Sequence, residues 1–173
     1  MTAAYVLRPA VPADAERLAE VTAEAFEGYR GFAPAGWQPP PPAAEVDRLR
    51  DLLAGADLWC LVAERDGAVA GHTAFLPAAQ AIHPIDEPQL AHVRALFVRP
   101  GHWGTGLARQ LHSAALEAAA ARGYTAMRLF TPADQGRARR FYEREGWILH
   151  AEPSFEAALG LFLVEYRYAL TSP

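Results

Sequence analysis

One segment of the chain runs from a strand through a glycine-containing loop directly into a long helix, and this order strongly constrains the fold. The residues Leu90–Val98 predict a strand that Pro100 stops. A helix is predicted from about Gly104 to Arg122, and Gly123 is placed to end it. The first N–H groups of such a helix are unpaired and lie in the field of the helix dipole. The segment therefore predicts either a cradle for phosphate groups or a tight structural turn.

The rest of the chain alternates between helix-like and strand-like segments, without repeats or a low-complexity linker. Asp66-Gly67 is a two-residue turn signal that predicts a hairpin. The proline-rich stretch Gly31–Pro42 predicts an exposed loop. The predicted strands are Val6–Arg8, Leu58–Arg65, Ala68–Leu76, Leu90–Val98, Ala126–Thr131, Trp147–Glu152 and Leu161–Leu170. The predicted helices are Asp14–Tyr29, Ala43–Ala54, Gly104–Arg122, with Leu107, Leu111, Ala114 and Ala118 on one face, and Gln135–Glu145. This order predicts an α/β (α+β) fold, a mixed sheet with helices on its faces.

The composition is that of one globular domain. The 173 residues are 51% hydrophobic and 21% charged, with a formal net charge of −4. The acidic balance argues against nucleic-acid binding. No apolar stretch approaches the ~18 residues that cross a bilayer, and no signal peptide is evident, so a cytoplasmic location without membrane contact is expected. The single cysteine, Cys60, lies in an apolar run and is expected to be buried.

Two kinds of catalytic site are disfavoured by spacing. The six histidines include no His-x-x-x-His pair and no cysteine-containing cluster, so no metal site is expected. No serine lies in a Gly-x-Ser-x-Gly elbow, which argues against nucleophilic hydrolysis.

Two motifs resemble those of the GNAT acetyltransferases. Residues Trp103-Gly-Thr-Gly-Leu-Ala108 are similar to the family's Gln/Arg-x-x-Gly-x-Gly/Ala signature, with Trp103 in place of Gln or Arg. Downstream, Ala138-Arg-Arg-Phe-Tyr-Glu-Arg-Glu-Gly-Trp147 resembles the family's Ala-x-x-Phe-Tyr-x-x-x-Gly-Phe segment, and Gln135 stands where Asn is commoner. The resemblance implies one domain over residues 1–173, with a mostly antiparallel sheet of six to seven strands, about four helices and splayed central strands.

The resemblance also implies a co-substrate and a reaction. Acetyl-CoA would donate its acetyl group to a primary amine of a small molecule, which would attack the thioester directly in a ternary complex. The pantetheine arm would pair with a splayed strand, and the pyrophosphate would rest on the loop and the first helical turn. Tyr142 would protonate or hydrogen-bond the departing thiolate. The cofactor-binding residues implied are Leu96, Phe97, Val98, Trp103, Gly104, Thr105, Gly106, Leu107, Ala108, Arg109, Gln135, Ala138 and Tyr142.

The sequence leaves the general base open. Some members of the family place a glutamate on the strand before the second motif, where this chain has Phe130. His92 and His72 lie on predicted strands and have suitable side-chain chemistry, and a water relay would serve equally. Tyr142 and His92 are therefore the candidate catalytic residues.

The acceptor and the partners are also open. A non-catalytic CoA-binding or protein-interaction module fits the same motifs, as does an acetyltransferase acting on a protein amino group. The substrate is expected to meet the loops Phe26–Trp37 and Ala78–Gln89. The final strands are compatible with a homodimer. A cluster of arginines predicts either a solvated helix face or phosphate contacts; its members are Arg137, Arg139, Arg140 and Arg144.

Overall fold

Seven strands of the computed structural model, which describes residues 4–170, form one sheet with helices on both faces. The strands are β1 (Val6–Pro9), β2 (Trp59–Arg65), β3 (Ala68–Pro77), β4 (Leu90–Val98), β5 (Ala126–Pro132), β6 (Ile148–Glu156) and β7 (Leu161–Ala169). The helices are α1 (Ala15–Glu27), α2 (Pro42–Ala54), α3 (Leu107–Ala121) and α4 (Gly136–Arg144). No helix within residues 4–170 is long and apolar enough to cross a membrane.

The strand order is β1-β2-β3-β4-β5-β7-β6. Every neighbouring pair is antiparallel except β4 and β5, which are parallel because α3 crosses over between them. The predicted fold class, a mixed and mostly antiparallel sheet of six to seven strands with about four helices, is confirmed.

The two central strands diverge halfway along their length. The pairing of β4 with β5 covers only Leu90–Val93 against Ala126–Leu129. The register of β4 against β3 shifts at the next residue, so that Arg94 has no partner between Val93 and Ala95. An extra residue of this kind bends a strand and increases its twist. The bulge at Arg94 therefore explains why β4 turns away from β5, and it produces the splayed central strands that the resemblance implies.

The helices bury separate apolar layers against the two faces of the sheet. On one face, α1 and α2 contribute Leu18, Val21 and Leu49, which pack on sheet residues including Val62. On the other face, α3 and α4 pack on a second cluster that includes Phe75. Cys60 is buried in the first layer, as expected, and burial raises the pKa of its thiol to about 12.

Helix α3 differs from its prediction in two respects. It begins at Leu107 rather than near Gly104, because the residue before it, Gly106, has a φ of 85° in the left-handed region. Its buried face also follows an i, i+4 line through Ala115 and Ala119, whereas the predicted Ala114 and Ala118 are only half-buried. Leu107 and Leu111 are buried as predicted, and the stripe is displaced by one residue only in the second half of the helix.

Candidate active site

The divergence of β4 and β5 opens a cleft with a volume of about 740 Å³. Its sides are the end of α1, the second half of β4, the loop before α3, the end of β5 and helix α4. Of the implied cofactor-binding residues, all but one line this cleft. They are Leu96, Phe97, Val98, Trp103, Gly104, Gly106, Leu107, Ala108, Arg109, Gln135, Ala138 and Tyr142. The exception is Thr105, whose hydroxyl donates to the carbonyl of His102 at 2.7 Å.

The loop before α3 presents a row of uncommitted backbone donors. The N–H groups of residues 104 to 109 donate to no acceptor within the described part of the chain, and Gln110 is the first to bond back, to Gly106 at 3.1 Å. Gly104 and Gly106 have φ values of 75° and 85°, and a Cβ at either would meet no protein atom within 4 Å. Converging N–H groups at a helix N-terminus bind phosphate oxygens. The structure thus has the geometry of a phosphate cradle rather than that of a compact turn.

Trp103 takes part in this loop through its side chain. Its N–H already donates to Pro100 at 3.1 Å, so it does not add to the row of free donors. The indole Nε1 donates to the carbonyl oxygen of Val98 at 2.8 Å. The guanidinium carbon of Arg137 lies 3.5 Å from the centre of the Trp103 rings. The indole therefore connects the end of β4 with the first turn of α4.

The arginine cluster of α4 divides between two surfaces. Arg137, Arg140 and Arg144 line the cleft, together with Arg109 of α3. Arg139 lies on the other side of the helix, where it donates to the hydroxyl of Tyr166 at 3.0 Å and to the carbonyl of Ala133 at 2.8 Å. The cleft mouth is therefore cationic, although the whole chain is acidic. The predicted phosphate contacts have a geometric basis in this surface, whereas the hydrogen bonds of Arg139 belong to neither predicted use, a solvated helix face or phosphate contacts.

Three buried side chains that carry hydroxyl groups line the cleft. Tyr29, Thr131 and Tyr142 are each buried, line the cleft, and have no hydrogen-bond partner for their hydroxyls among residues 4–170. Burial raises the pKa of Tyr29 to about 12 and raises that of Tyr142 further, with the neighbouring Tyr29 adding to the shift. Both phenols are therefore neutral near pH 7 and can donate a hydrogen bond to a ligand.

The two candidate histidines lie outside the cleft. His72 and His92 are buried, and neither is among the residues that line the cavity. Burial, together with the positive charges of Arg94 beside His72 and of Arg128 and Arg94 beside His92, lowers the pKa of each to about 3. A base with such a pKa accepts protons poorly near pH 7. The geometry gives no support to the prediction that His92 or His72 is the general base.

The two loops that were predicted to meet the substrate line the cleft only in part. Glu24, Ala25, Gly28 and Tyr29 line it, but the predicted Glu27 forms an ion pair with Arg30 at 2.6 Å. The segment Ala78–Gln89 contributes no lining residue. The buried guanidinium of Arg128 anchors this segment by two hydrogen bonds, to the carbonyls of Ile82 at 2.8 Å and His83 at 2.7 Å.

Sequence reasoning missed several lining residues, and the one in the bulge of β4 is Arg94. Its side chain enters the cleft because it occupies the bulge in β4, and it pairs with Glu45 of α2. No residue type in this stretch signals a bulge, so the sequence offered no means of finding it. Among residues 4–170 no group of three His, Cys, Asp or Glu side chains is arranged to hold a metal ion.

Solved structures of several acetyltransferases have a similar fold. An N-acetyltransferase from Staphylococcus aureus Mu50 gives a TM-score of 0.74 at 17% identity, over 98% of this chain and 100% of its own. The PaiA N-acetyltransferase from Thermoplasma acidophilum, solved in complex with coenzyme A, gives 0.73 at 17% identity, over 96% and 100%. The ribosomal-protein-S18-alanine N-acetyltransferase from Escherichia coli gives 0.69 at 14% identity, over 98% and 96%. At these identities the likeness concerns the fold alone.

Sequence comparison carries the assignment further than the fold. No curated protein sequence matches the chain. The model of the acetyltransferase (GNAT) family matches residues 22–147, which include the end of α1, the bulged strand β4, the free N–H groups before α3 and the tyrosine of α4. This chain therefore belongs to the GNAT acetyltransferase family.

Proposed function

We propose that this protein transfers the acetyl group of acetyl-CoA to a primary amine of a small molecule, by direct attack in a ternary complex. The observation that carries the proposal is the row of free N–H groups from residue 104 to residue 109, at the N-terminus of α3. Membership of the GNAT family supports acetyl transfer, and the PaiA structure contains coenzyme A. A non-catalytic CoA-binding module is the alternative, and it would use the same cradle. Measurement of acetyl transfer to an amine distinguishes it from an enzyme.

The residues of the cleft fit the chemistry of acetyl-CoA. Phosphate groups suit the backbone donors beside Gly104 and Gly106, with the cationic side chains of α4 close by. An extended pantetheine arm suits the part of β4 that has left β5, at Leu96 and Phe97, because an unpaired strand can bond to an amide-containing ligand. The carbonyl of Val98 already accepts a bond from Trp103, so it is less available for such pairing.

Tyr142 is positioned to assist the departing thiolate. When bound, acetyl-CoA supplies an activated thioester, and the amine displaces its sulfur. Because burial raises the pKa of Tyr142, full transfer of its proton to a thiolate of pKa ~8.5 is uphill. We therefore assign Tyr142 the role of hydrogen-bond donor to the sulfur, with the proton supplied on release of the thiol.

The proton of the attacking amine is proposed to leave through water. Neither His72 nor His92 reaches the cleft, and Glu24 at its rim is tied to Arg99. The amine would therefore enter in its neutral form, and the protein's contribution would be to align it with the thioester.

The contacts of the segment Gly31–Pro42 favour a small acceptor, because they attach this segment to the rest of the protein near Tyr29 of the cleft. Trp37 donates its Nε1 to the carbonyl of Leu159 at 2.7 Å, and its ring lies 6.2 Å from that of Tyr29. These contacts attach the segment to the turn between β6 and β7 and to Tyr29, which lines the cleft. The Escherichia coli S18 enzyme has the same fold and acts on a protein alanine, so a protein acceptor is the second candidate.

The proposal is tested by titrating acetyl-CoA into the protein in a calorimeter. We expect micromolar binding by the wild type and loss of binding by Gly106→Trp, which fills the cradle. Gly123→Trp is the matched control, because Gly123 has nearly the same φ (87°) and open surroundings at the other end of α3. Absence of binding by the wild type would overturn the proposal, and thiol release with a panel of amines then separates an enzyme from a CoA sensor.

We further propose that the protein is a homodimer formed through β6. This nine-residue strand is an edge of the sheet, and its exposed apolar side chains include Ile148 and Phe155. Unpaired edges with apolar side chains favour pairing with another chain. A cytoplasmic location stays a prediction.

A further inference from the structure

Arg137 is a cation without an acidic partner at the mouth of the cleft. Among residues 4–170 it forms no ion pair and no hydrogen bond, whereas Arg109 and Arg144 both pair with Glu145. It stands in the first turn of α4, where a positive charge opposes the helix dipole. Neither the helix nor an ion pair among the described residues explains its position, and its guanidinium lies over the face of Trp103.

Trp103 holds the guanidinium in a way that keeps its donors free. Stacking over an aromatic face uses the flat side of the guanidinium, whose five N–H groups point outward in its plane. The indole is itself fixed, because its Nε1 bonds to Val98 at 2.8 Å. It nevertheless stays 49% exposed, so it is accessible to a ligand.

The pair lies beside the phosphate cradle. Trp103 directly precedes Gly104, the first residue of the row of free N–H groups, and both Trp103 and Arg137 line the cleft. We propose that Trp103 and Arg137 form a phosphate clamp, in which the indole positions the guanidinium to bind the pyrophosphate of acetyl-CoA opposite the backbone donors. This inference rests on the proposed binding of acetyl-CoA and adds a side-chain subsite to it.

Calorimetric titration with CoA and with dephospho-CoA, which lacks the 3′-phosphate, tests the clamp. Arg137→Ala should weaken both ligands by about tenfold or more, the size expected for a lost charge-assisted contact. Arg122→Ala is the matched control, because Arg122 also lies over an aromatic ring, 5.8 Å from that of Phe75, but outside the cleft. An equal affinity of Arg137→Ala and wild type would overturn the clamp, and a loss confined to CoA would overturn the assignment to the pyrophosphate.

The role of Trp103 is tested separately. Trp103→Leu should weaken CoA several-fold, while Trp103→Phe, which keeps an aromatic face, should retain most of the affinity. The tryptophan emission of the wild type should change on adding CoA, and this change should be absent in Trp103→Phe. Unchanged affinity in Trp103→Leu, with its melting temperature preserved, would contradict the positioning role. Failure of the wild type to bind CoA would instead overturn the proposed function, so the two failures are distinguishable.

Discussion

His72 and His92 are neutral core residues by virtue of their surroundings. Each has a buried Nδ1 with no hydrogen-bond partner among residues 4–170, and each packs against an aromatic ring, Phe97 and Phe130 respectively. Their positions on strands made them reasonable candidates for a base in the sequence. The residue type was informative about chemistry, but burial depends on which side of the sheet each side chain faces, and a single sequence does not reveal that.

The buried histidines predict a loss of stability in mild acid. Their folded pKa of about 3 lies below the unfolded value of ~6.5, so the unfolded chain binds more protons as the pH falls below 6.5. From pH 7 to pH 5, where carboxylates stay ionised, each histidine should remove about 2 kcal/mol from the free energy of unfolding. Urea denaturation at the two pH values measures this. His92→Gln should show a smaller decrease than the wild type, and equal stabilities at both pH values would contradict the prediction.

Without a histidine base, the pH dependence of catalysis should come from the acceptor. The value of kcat/KM should rise with pH in proportion to the fraction of the acceptor amine that is neutral. The pH at the midpoint of this rise should therefore follow the pKa of the acceptor when different amines are compared. Tyr142 should add no inflection below pH 10, because burial raises its pKa above the ordinary value. A fixed midpoint near pH 6 to 7 for every acceptor would indicate a protein base and contradict the water route.

At the scale of elements, the segments of the fold were predictable and their junctions were not. The predicted strand Leu90–Val98 has the observed bounds. By contrast, β6 extends to Glu156, four residues past its predicted end, because it continues to pair with β7. Periodicity and turn residues define segments, whereas the bulge at Arg94 depends on competition between β3 and β5 for the same strand. The motif located the cradle; the bulge that opens the cleft had no signal in the sequence.

The loop before α3 should show the clearest change in amide exchange. The N–H groups of residues 104 to 109 have no acceptor among the described residues and should exchange rapidly in the free protein. Saturating CoA should slow them, because phosphate oxygens would accept their hydrogen bonds. The amide of Gly123, at the other end of α3 and outside the cleft lining, serves as the internal control. Equal exchange of residues 104 to 109 with and without CoA, under conditions in which calorimetry detects binding, would contradict the cradle.

At the scale of the whole molecule, the last two strands of the sheet carry several large exposed apolar side chains. Ile148, Phe155 and Phe162 are 73%, 58% and 57% exposed, and the rings of Phe155 and Phe162 pack 5.3 Å apart. The other edge, β1, has only four residues. Long apolar edges associate more readily than short ones, so β6 is the surface on which we expect a second copy to dock.

Sedimentation velocity tests the dimer. The wild type should sediment as a dimer at micromolar concentration, and Phe155→Glu should shift it to the monomer, because a buried carboxylate would lack a partner. Val11→Glu is the control, since Val11 is also exposed and apolar but lies outside the β6 edge. A monomeric wild type, or a dimer unaffected by Phe155→Glu, would contradict the proposed interface.

The early divergence of β4 and β5 has a consequence for the stability of this protein when no co-substrate is bound. In most sheets the central ladder forms once, during folding, and is not disturbed again. Here pairing stops at Val93, and a co-substrate lying against the remainder of β4 would complete the ladder on binding and dissolve it on release. Binding energy would then also be folding energy. The protein would be most sensitive to proteases and heat after the product has left. Its lifetime would therefore increase with the concentration of acetyl-CoA.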